Sequence, residues 1–434
     1  MLNQSLITEE RLAALRKGRE KMRAEGFDEI RPLIGDAATE ELKKTYELFD
    51  ETLYIWLAGL WEPSVGGFYY SQTARDYEGF LPDIESTRQA LGYMQGIGLC
   101  RGRGTTYADA ISPKMRESLL AYAKSLQTED DGYFYHPQWG KDVTVSRRGR
   151  DLGWALNTIK ELGGTPDYPT PMERAHDASA ESTLPEYLRS TDAWRAYLDT
   201  LDINHKSYSL GNHIQSQVPQ IKGAGQEYVD ILIDWYDRTQ NAVNGTWEEE
   251  VNYASINGLM KITLAYSAYG RRMPNADRAV ESAIAATLSD EVPTGVTSVF
   301  NPWVCISKLL DNLRQNGAGD RADELYKKIL ENAADMIRIT REKLIPYKAA
   351  DGAYSYSRGQ NAYRSQGAYV AIKGTSEGEV NGNGLATNGT IREIFAALGV
   401  PKVPYFTPED GELFFELLDT ATPSPKLYPP VPAP

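Results

Sequence analysis

Within ten residues of the segment INHKSYSLGNHIQSQ (203–217) the chain places two of its four histidines, one tyrosine and two asparagines. Histidine titrates near neutrality, and a tyrosine beside a cation can hand on a proton. Tyr208 and His213 are therefore the candidate proton-transfer pair, with Asn212 beside them to hold a substrate oxygen. The competing reading is that His213 hydrogen-bonds within a buried turn and the asparagines shape a loop. A second chemistry rests on carboxylates. Glu85, in PDIES (82–86), and Glu250, in the run EEE (248–250), are the best pair for hydrolysis, which sets two acids across a sugar. Asp83 and Glu85 also stand where acids cap a helix, and a charge run is normally a solvated face.

Four stretches repeat a glycine followed by an aromatic-rich run: GGFYYS (66–71), DGYFYH (131–136), NGTWEE (244–249) and DGAYSY (351–356). Tyr70, Tyr135, Trp247 and Tyr356 come from these turns as a candidate aromatic rim. With Asp83, Arg148, Asn212 and Arg358 they make up the candidate binding set. Rings stack on sugar faces, and planar charged or amide groups hold hydroxyls or a uronate. Packing of each ring on its neighbouring turn is the competing explanation.

The elements that must position these residues alternate in character. Apolar, glycine-ended segments predict buried helices that close near Gly98, Gly163, Gly223, Gly270, Gly317 and Gly399. Between them, segments such as SPKMRESLLAYAKSLQ and GQEYVDILIDWYDRTQNA repeat apolar residues at three and four spacing, as in helices packed on one side only. One such outer helix is placed at 184–201. Six apolar helices alternating with six amphipathic ones predict an all-α (α/α)6 toroid, a closed ring of inner and outer helices with the glycine-aromatic turns on one face.

The stretch GGFYYSQTARDYEGFLPDIESTRQALGYM, together with SLQTEDDGYFYHP, resembles the repeats of terpenoid cyclase and protein prenyltransferase toroids. In those repeats a Gln, an acidic residue, Gly and an aromatic precede an inner helix. The resemblance covers about four of the six repeats and implies the fold. TEDD (128–131) lacks the first Asp of the class II cyclase motif, and the Asp, Cys and His zinc ligands of the prenyltransferases have no counterpart here. The 203–217 segment resembles, in composition, the Asn-His-Tyr clusters of toroid polysaccharide lyases. There an Asn or His neutralises a uronate carboxylate while Tyr or His removes the adjacent C5 proton.

Composition narrows the classes further. A formal charge of -14 over 434 residues opposes nucleic-acid binding, and no apolar run is long enough for a membrane span. Two cysteines and four dispersed histidines predict neither a disulfide framework nor a metal site, and no cofactor is expected. The charged N-terminal stretch lacks a signal-peptide core, so a cytoplasmic protein is expected. Three parts are expected: a helical segment at 1–38, the toroid at 39–405, and a helix with a proline-rich tail at 406–434. The leading expectation is a glycan-active enzyme, a polysaccharide lyase or a glycoside hydrolase, acting on an oligosaccharide with or without uronic acid. A terpenoid cyclase-like enzyme and a non-catalytic glycan-binding toroid are the alternatives.

Overall fold

A computed structural model describes residues 1–177 and 185–434. The described residues are all-α apart from two short hairpins. It begins with α1 (Glu9–Ile34), α2 (Asp36–Tyr46) and α3 (Thr52–Ala58), then the hairpin β1 (Trp61–Glu62) and β2 (Gly67–Phe68), then α4 (Gln72–Asp76) and α5 (Ile84–Gly96). There follow α6 (Tyr107–Ala110), α7 (Pro113–Ser125), α8 (Val145–Glu161), α9 (Pro171–Asp177), α10 (Thr191–Asp199), α11 (Ser207–Gln215), α12 (Val218–Ala224) and α13 (Gln226–Thr239). The remainder is α14 (Tyr253–Tyr269), α15 (Ala276–Leu288), α16 (Val296–Gln315), α17 (Gly319–Leu344), the hairpin β3 (Arg364–Ser365) and β4 (Ala368–Tyr369), α18 (Val380–Gly384), α19 (Thr390–Ala397) and α20 (Pro408–Asp419). A π-helical turn, Leu385–Gly389, joins α18 to α19. Among the described residues no helix is long and apolar enough to cross a membrane.

The apolar segments pack on one another in the order α8, α5, α18, π turn with α19, α16, α14 and α11. Amphipathic helices cover them: α7 lies on α8, α15 and α17 lie on α16, and α17 also contacts α2. Long helix α17 shows why. Ala322, Leu325, Ile329, Ala333, Met336, Ile337, Thr340 and Leu344 are buried at three and four spacing, while the intervening charged residues stay in water.

The glycine expectation holds at five of the six inner-helix ends, where Gly98, Gly163, Gly270, Gly317 and Gly399 all take positive φ. The third segment differs. It breaks into α11 and α12, with a proline in the first turn of α12, and ends at Gly225. The second inner helix starts at Val145, five residues before the predicted Arg150, because the Thr144 hydroxyl accepts from Arg147 N at 3.0 Å and caps it. The outer helix expected at 184–201 is the shorter α10, after a single 3-10 turn at Glu186–Leu188; residue 184 lies outside the described residues.

Each glycine-aromatic turn is one local device. Gly66, Gly132, Gly245 and Gly352 have φ of 87°, 75°, 71° and 85°. In three copies an Asx side chain accepts from the backbone two residues on: Asp131 from Tyr133 N at 3.1 Å, Asn244 from Thr246 N at 2.9 Å, and Asp351 from Ala353 N at 3.2 Å. In two copies a glutamine ties the turn to the next segment. Gln127 Nε2 donates to Gly132 O (3.3 Å) and its Oε1 accepts from Asp167 N (2.9 Å). Gln240 Nε2 donates to Gly245 O (2.8 Å) and its Oε1 accepts from Asn275 Nδ2 (2.9 Å). Each copy lies between one helix and the next buried one, directly so at Gly132 and Gly245 and with α4 or the β3–β4 hairpin intervening at Gly66 and Gly352.

The proline-rich tail is strapped down. Tyr428 N donates to Asp76 O at 3.1 Å, its ring stacks on Tyr77 at 4.7 Å, and Lys426 Nζ donates to the carbonyls of Ala74, Tyr77 and Phe80.

Candidate functional site

Chemistry-bearing side chains gather in three groups, two at the N-terminal turns of the buried helices and one along their middles. The first is fully buried, where α5 meets α8. Asp83 caps α5, accepting from Ser86 N at 3.0 Å and Ser86 Oγ at 2.6 Å. Arg147 reaches Asp83 Oδ1 at 2.5 Å, Asp151 Oδ1 at 2.8 Å and Glu85 Oε2 at 3.4 Å, and donates to Ser365 O at 3.0 Å. Glu85 Oε1 also accepts from Arg150 (2.7 Å), Ser365 Oγ (3.0 Å) and Gln89 (3.1 Å).

Three carboxyls thus share two guanidiniums, and one must give way. Burial opposes ionisation of Asp83, but Arg147 and His136 overcome it and hold that carboxyl below its usual range. Asp151 yields instead: burial pushes it up to about 7, despite Arg147. His136 lies 3.9 Å from Asp83, and burial lowers it to about 4, so its ring is neutral at pH 7. Nearby, burial raises Glu379 to about 8; its carboxylate accepts from Tyr356 N, while Oε2 is unpartnered among the described residues.

The second group lines a cavity of about 400 Å³ between α5, α8 and the α18–α19 segment. Arg88 and Arg150 lie over the Trp154 ring at 6.0 and 5.7 Å, and Gln89, Asn381, Asn388 and Arg392 complete the polar wall. Arg88 is held by Glu161 at 2.9 Å. Gly92 and Gly384, without side chains, leave the room.

The third group lines a cavity of about 300 Å³ at α11, α14 and α16 and holds Tyr208, Tyr253, Asn257, Glu291, Thr297, Ser298 and Tyr356. Asn257 donates to Ser298 Oγ (3.0 Å) and accepts from Asn301 (2.7 Å), and the hydroxyls of Tyr356 and Thr297 are 3.1 Å apart. Lys261 sits 6.0 Å from the Tyr208 ring centroid. Burial, then the charge of Arg150, lowers the Lys261 pKa, so the Trp154 side and the Tyr208 side share one electrostatic neighbourhood. Tyr208 is raised by burial and by Tyr356.

Of the residues singled out from sequence, the structure brings Tyr208 and Tyr356 to one cavity, and Glu85 and Asp83 to the buried cluster. The others stand elsewhere. His213 projects from another face of α11, bonded to Tyr197 OH (3.1 Å) and Gln217 Nε2 (2.8 Å). Asn212 and Arg358 are exposed, as is Glu250. In the acidic run it is Glu248 that is engaged, accepting from Ser207 N at 3.3 Å at the start of α11.

The aromatic rim is corrected at three positions, Tyr70, Tyr135 and Trp247, all of them buried. Tyr70 and Trp247 are core rings, at 2% and 0% exposure, and Trp247 Nε1 donates to Tyr236 O and Thr239 Oγ1 at 3.2 Å. Turn rings that close a helix reversal are covered by the next helix. Tyr135 is buried against its own turn, donating to Asp131 Oδ2 at 2.7 Å, and Arg148 lies over Tyr133 at 4.9 Å.

Sequence reasoning passed over Arg88, Trp154, Lys261 and Arg392. A signal existed. Glu85/Gln89, Arg150/Trp154, Asn257/Lys261 and Asn388/Arg392 are polar or amphipathic pairs at i,i+4 inside otherwise apolar helices, the spacing that places two side chains on one face.

The chain matches no family model, no curated protein sequence and no solved structure.

Proposed function

We propose that the buried helices close into one (α/α)6 ring and that the protein cleaves a glycosidic bond in an oligosaccharide bearing uronic acid, by elimination. The observation that carries the reading is the Trp154 ring flanked by two arginines and a wall of amides, a lining that suits the apolar face, hydroxyls and carboxylate of an acidic sugar. A carbocation-guiding cavity would be drier than this.

Elimination is favoured over hydrolysis because Glu85 is saturated by Arg150, Ser365 and Gln89, and Glu250 is exposed, so the two acids singled out for hydrolysis do not face each other across a sugar. In the elimination reading, Arg150, which turns Nε and Nη2 to Glu85, hydrogen-bonds the uronate carboxylate through Nη1 and so acidifies its C5 proton. In its neutral form, the fraction of which burial and Arg150 increase, Lys261 accepts that proton, so turnover is expected to rise with pH. The C4–O bond breaks as C4 and C5 become doubly bonded, and the Tyr208 phenol, its pKa raised, protonates the departing oxygen.

A panel of uronate oligosaccharides, followed by ultraviolet absorbance of the unsaturated product, tests this. Tyr208→Phe and Lys261→Met are each expected to lower turnover by at least ~10²-fold, with Glu85→Gln costing far less. Inactivation by Glu85→Gln with a silent Tyr208→Phe would transfer the reading to hydrolysis. Binding without turnover across the panel would instead support a non-catalytic glycan receptor, the alternative that the saturated Glu85 favours.

A further inference from the structure

Beyond the opposite, C-terminal end of α5 lies a separate cavity of about 260 Å³, walled by the turn Gly98–Gly104 and by the 402–405 segment. Its cations are Lys402 and Arg101. Lys402 Nζ donates to Gly96 O at 2.8 Å and to Asn388 Oδ1 at 3.0 Å, and it lies over the Tyr405 ring at 4.8 Å. Arg101 lies across Gly98, where an added Cβ would come within 3.4 Å of its Nε.

Among the described residues neither cation forms an ion pair, and the charges that act on Lys402 are those of Arg101 and Arg392, both positive. The nearby acid is otherwise engaged: Asp109 accepts from Thr106 N at 3.1 Å and Thr106 Oγ1 at 2.8 Å as part of the cap of α6. The carbonyl end of α5 offsets Lys402 only in part, because a helix terminus carries about half an elementary charge. Two full positive charges therefore face one partly open space whose other walls include Gln95, Cys100, Thr105 and Tyr405 and carry no acid. Burial, then the two arginines, lowers Lys402 to about 8, so the lysine is still mostly charged at pH 7.

We propose that this cavity is a binding site for a small oxyanion, a phosphate or a carboxylate, held between Lys402 and Arg101. The site is distinct from the cavity around Trp154 but shares a wall with it. Asn388, which bonds Lys402, also lines the Trp154 cavity from the π-helical turn. An anion that draws Lys402 toward itself competes with Asn388 Oδ1 and so reaches the turn that shapes the larger cavity.

Thermal unfolding with inorganic phosphate, with malonate and with chloride at matched ionic strength tests the site, alongside hydrogen exchange over residues 385–397. The expected result is a saturable rise in Tm with phosphate or malonate but not with chloride, together with altered exchange in that segment. A larger effect of phosphate assigns a phosphate ligand, and a larger effect of malonate a carboxylate. Lys402→Met should abolish the effect. Arg101→Ala, at an exposed position that leaves folding intact, should raise the half-saturating concentration about tenfold, the loss of roughly one charge-assisted hydrogen bond. A wild-type response no greater than that to chloride, or an equal response in wild type and Arg101→Ala, would overturn the proposal.

Discussion

The two sides of the N-terminal face handle polar groups in opposite ways. Where α5 meets α8, Asp83, Glu85, Arg147 and Asp151 are all buried and spend their hydrogen bonds on one another and on Ser86, Gln89, Arg150 and Ser365. Where α11, α14 and α16 meet, Tyr208 is 43% exposed, and amides and hydroxyls line the space with a single acid, Glu291, among them and Lys261 beside them. A buried charge without its partner is costly, so the first side is rigid and positions its neighbours. The second leaves polar tips free, which is what a ligand requires. The more charged region is thus the framework, and the plainer one is open for binding.

Removing the hub of the closed side should have the largest effect. Arg147→Met leaves Asp83 and Glu85 facing each other without their shared cation and is expected to cost about 3–5 kcal/mol, read by chemical denaturation. A loss below about 1 kcal/mol would mean that water, not Arg147, solvates the cluster, and the contrast between the two sides would fail.

The turn that introduces the open side should come next. Gly245→Ala puts a Cβ 2.4 Å from Ala279 N at a φ of 71°, and a cost of about 1–3 kcal/mol is expected from the melting temperature. A neutral result would show that the repeated turn is replaceable and that the open side is loosely built.

The pH dependence of the closed side sharpens the comparison. Burial raises Glu379 from its ordinary value to about 8, so the folded state holds a proton that the unfolded chain releases near 4.5. The sign follows: this contribution is fully present below 4.5 and is lost as pH rises through about 8. Wild-type stability should therefore fall relative to Glu379→Gln between about pH 5 and 8, and parallel curves would assign Glu379 an ordinary ionised state.

Smallest of all should be the stability effect of Tyr208→Phe and Asn257→Ala on the open side, within about 0.5–1 kcal/mol, against a clear loss of ligand binding or turnover. A large stability loss with unchanged ligand behaviour would make that side framework too.

Much of the scaffold was legible because its signals are local. Apolar and amphipathic stretches alternate by period, and glycine ends helices at 98, 163, 270, 317 and 399 because a left-handed residue closes each one. Three of the four glycine-aromatic turns were legible for the same reason, since an Asx side chain and a glycine act within a few residues of chain. Which polar residue meets which was not local. Glu85 is neutralised by Arg150 from sixty-five positions away, and Ser365 reaches it from the other end of the chain. His213 and Tyr208 are five residues apart, yet the turn of α11 sends one toward Tyr197 and the other toward Tyr356. Sequence determined the helices, their ends and the turns between them, because each is settled by short-range sterics and hydrogen bonds. Only the packing of α5, α8, α14 and α18 decided which charges are buried in pairs and which polar tips stay free, because burial and partner are properties of the assembled helices.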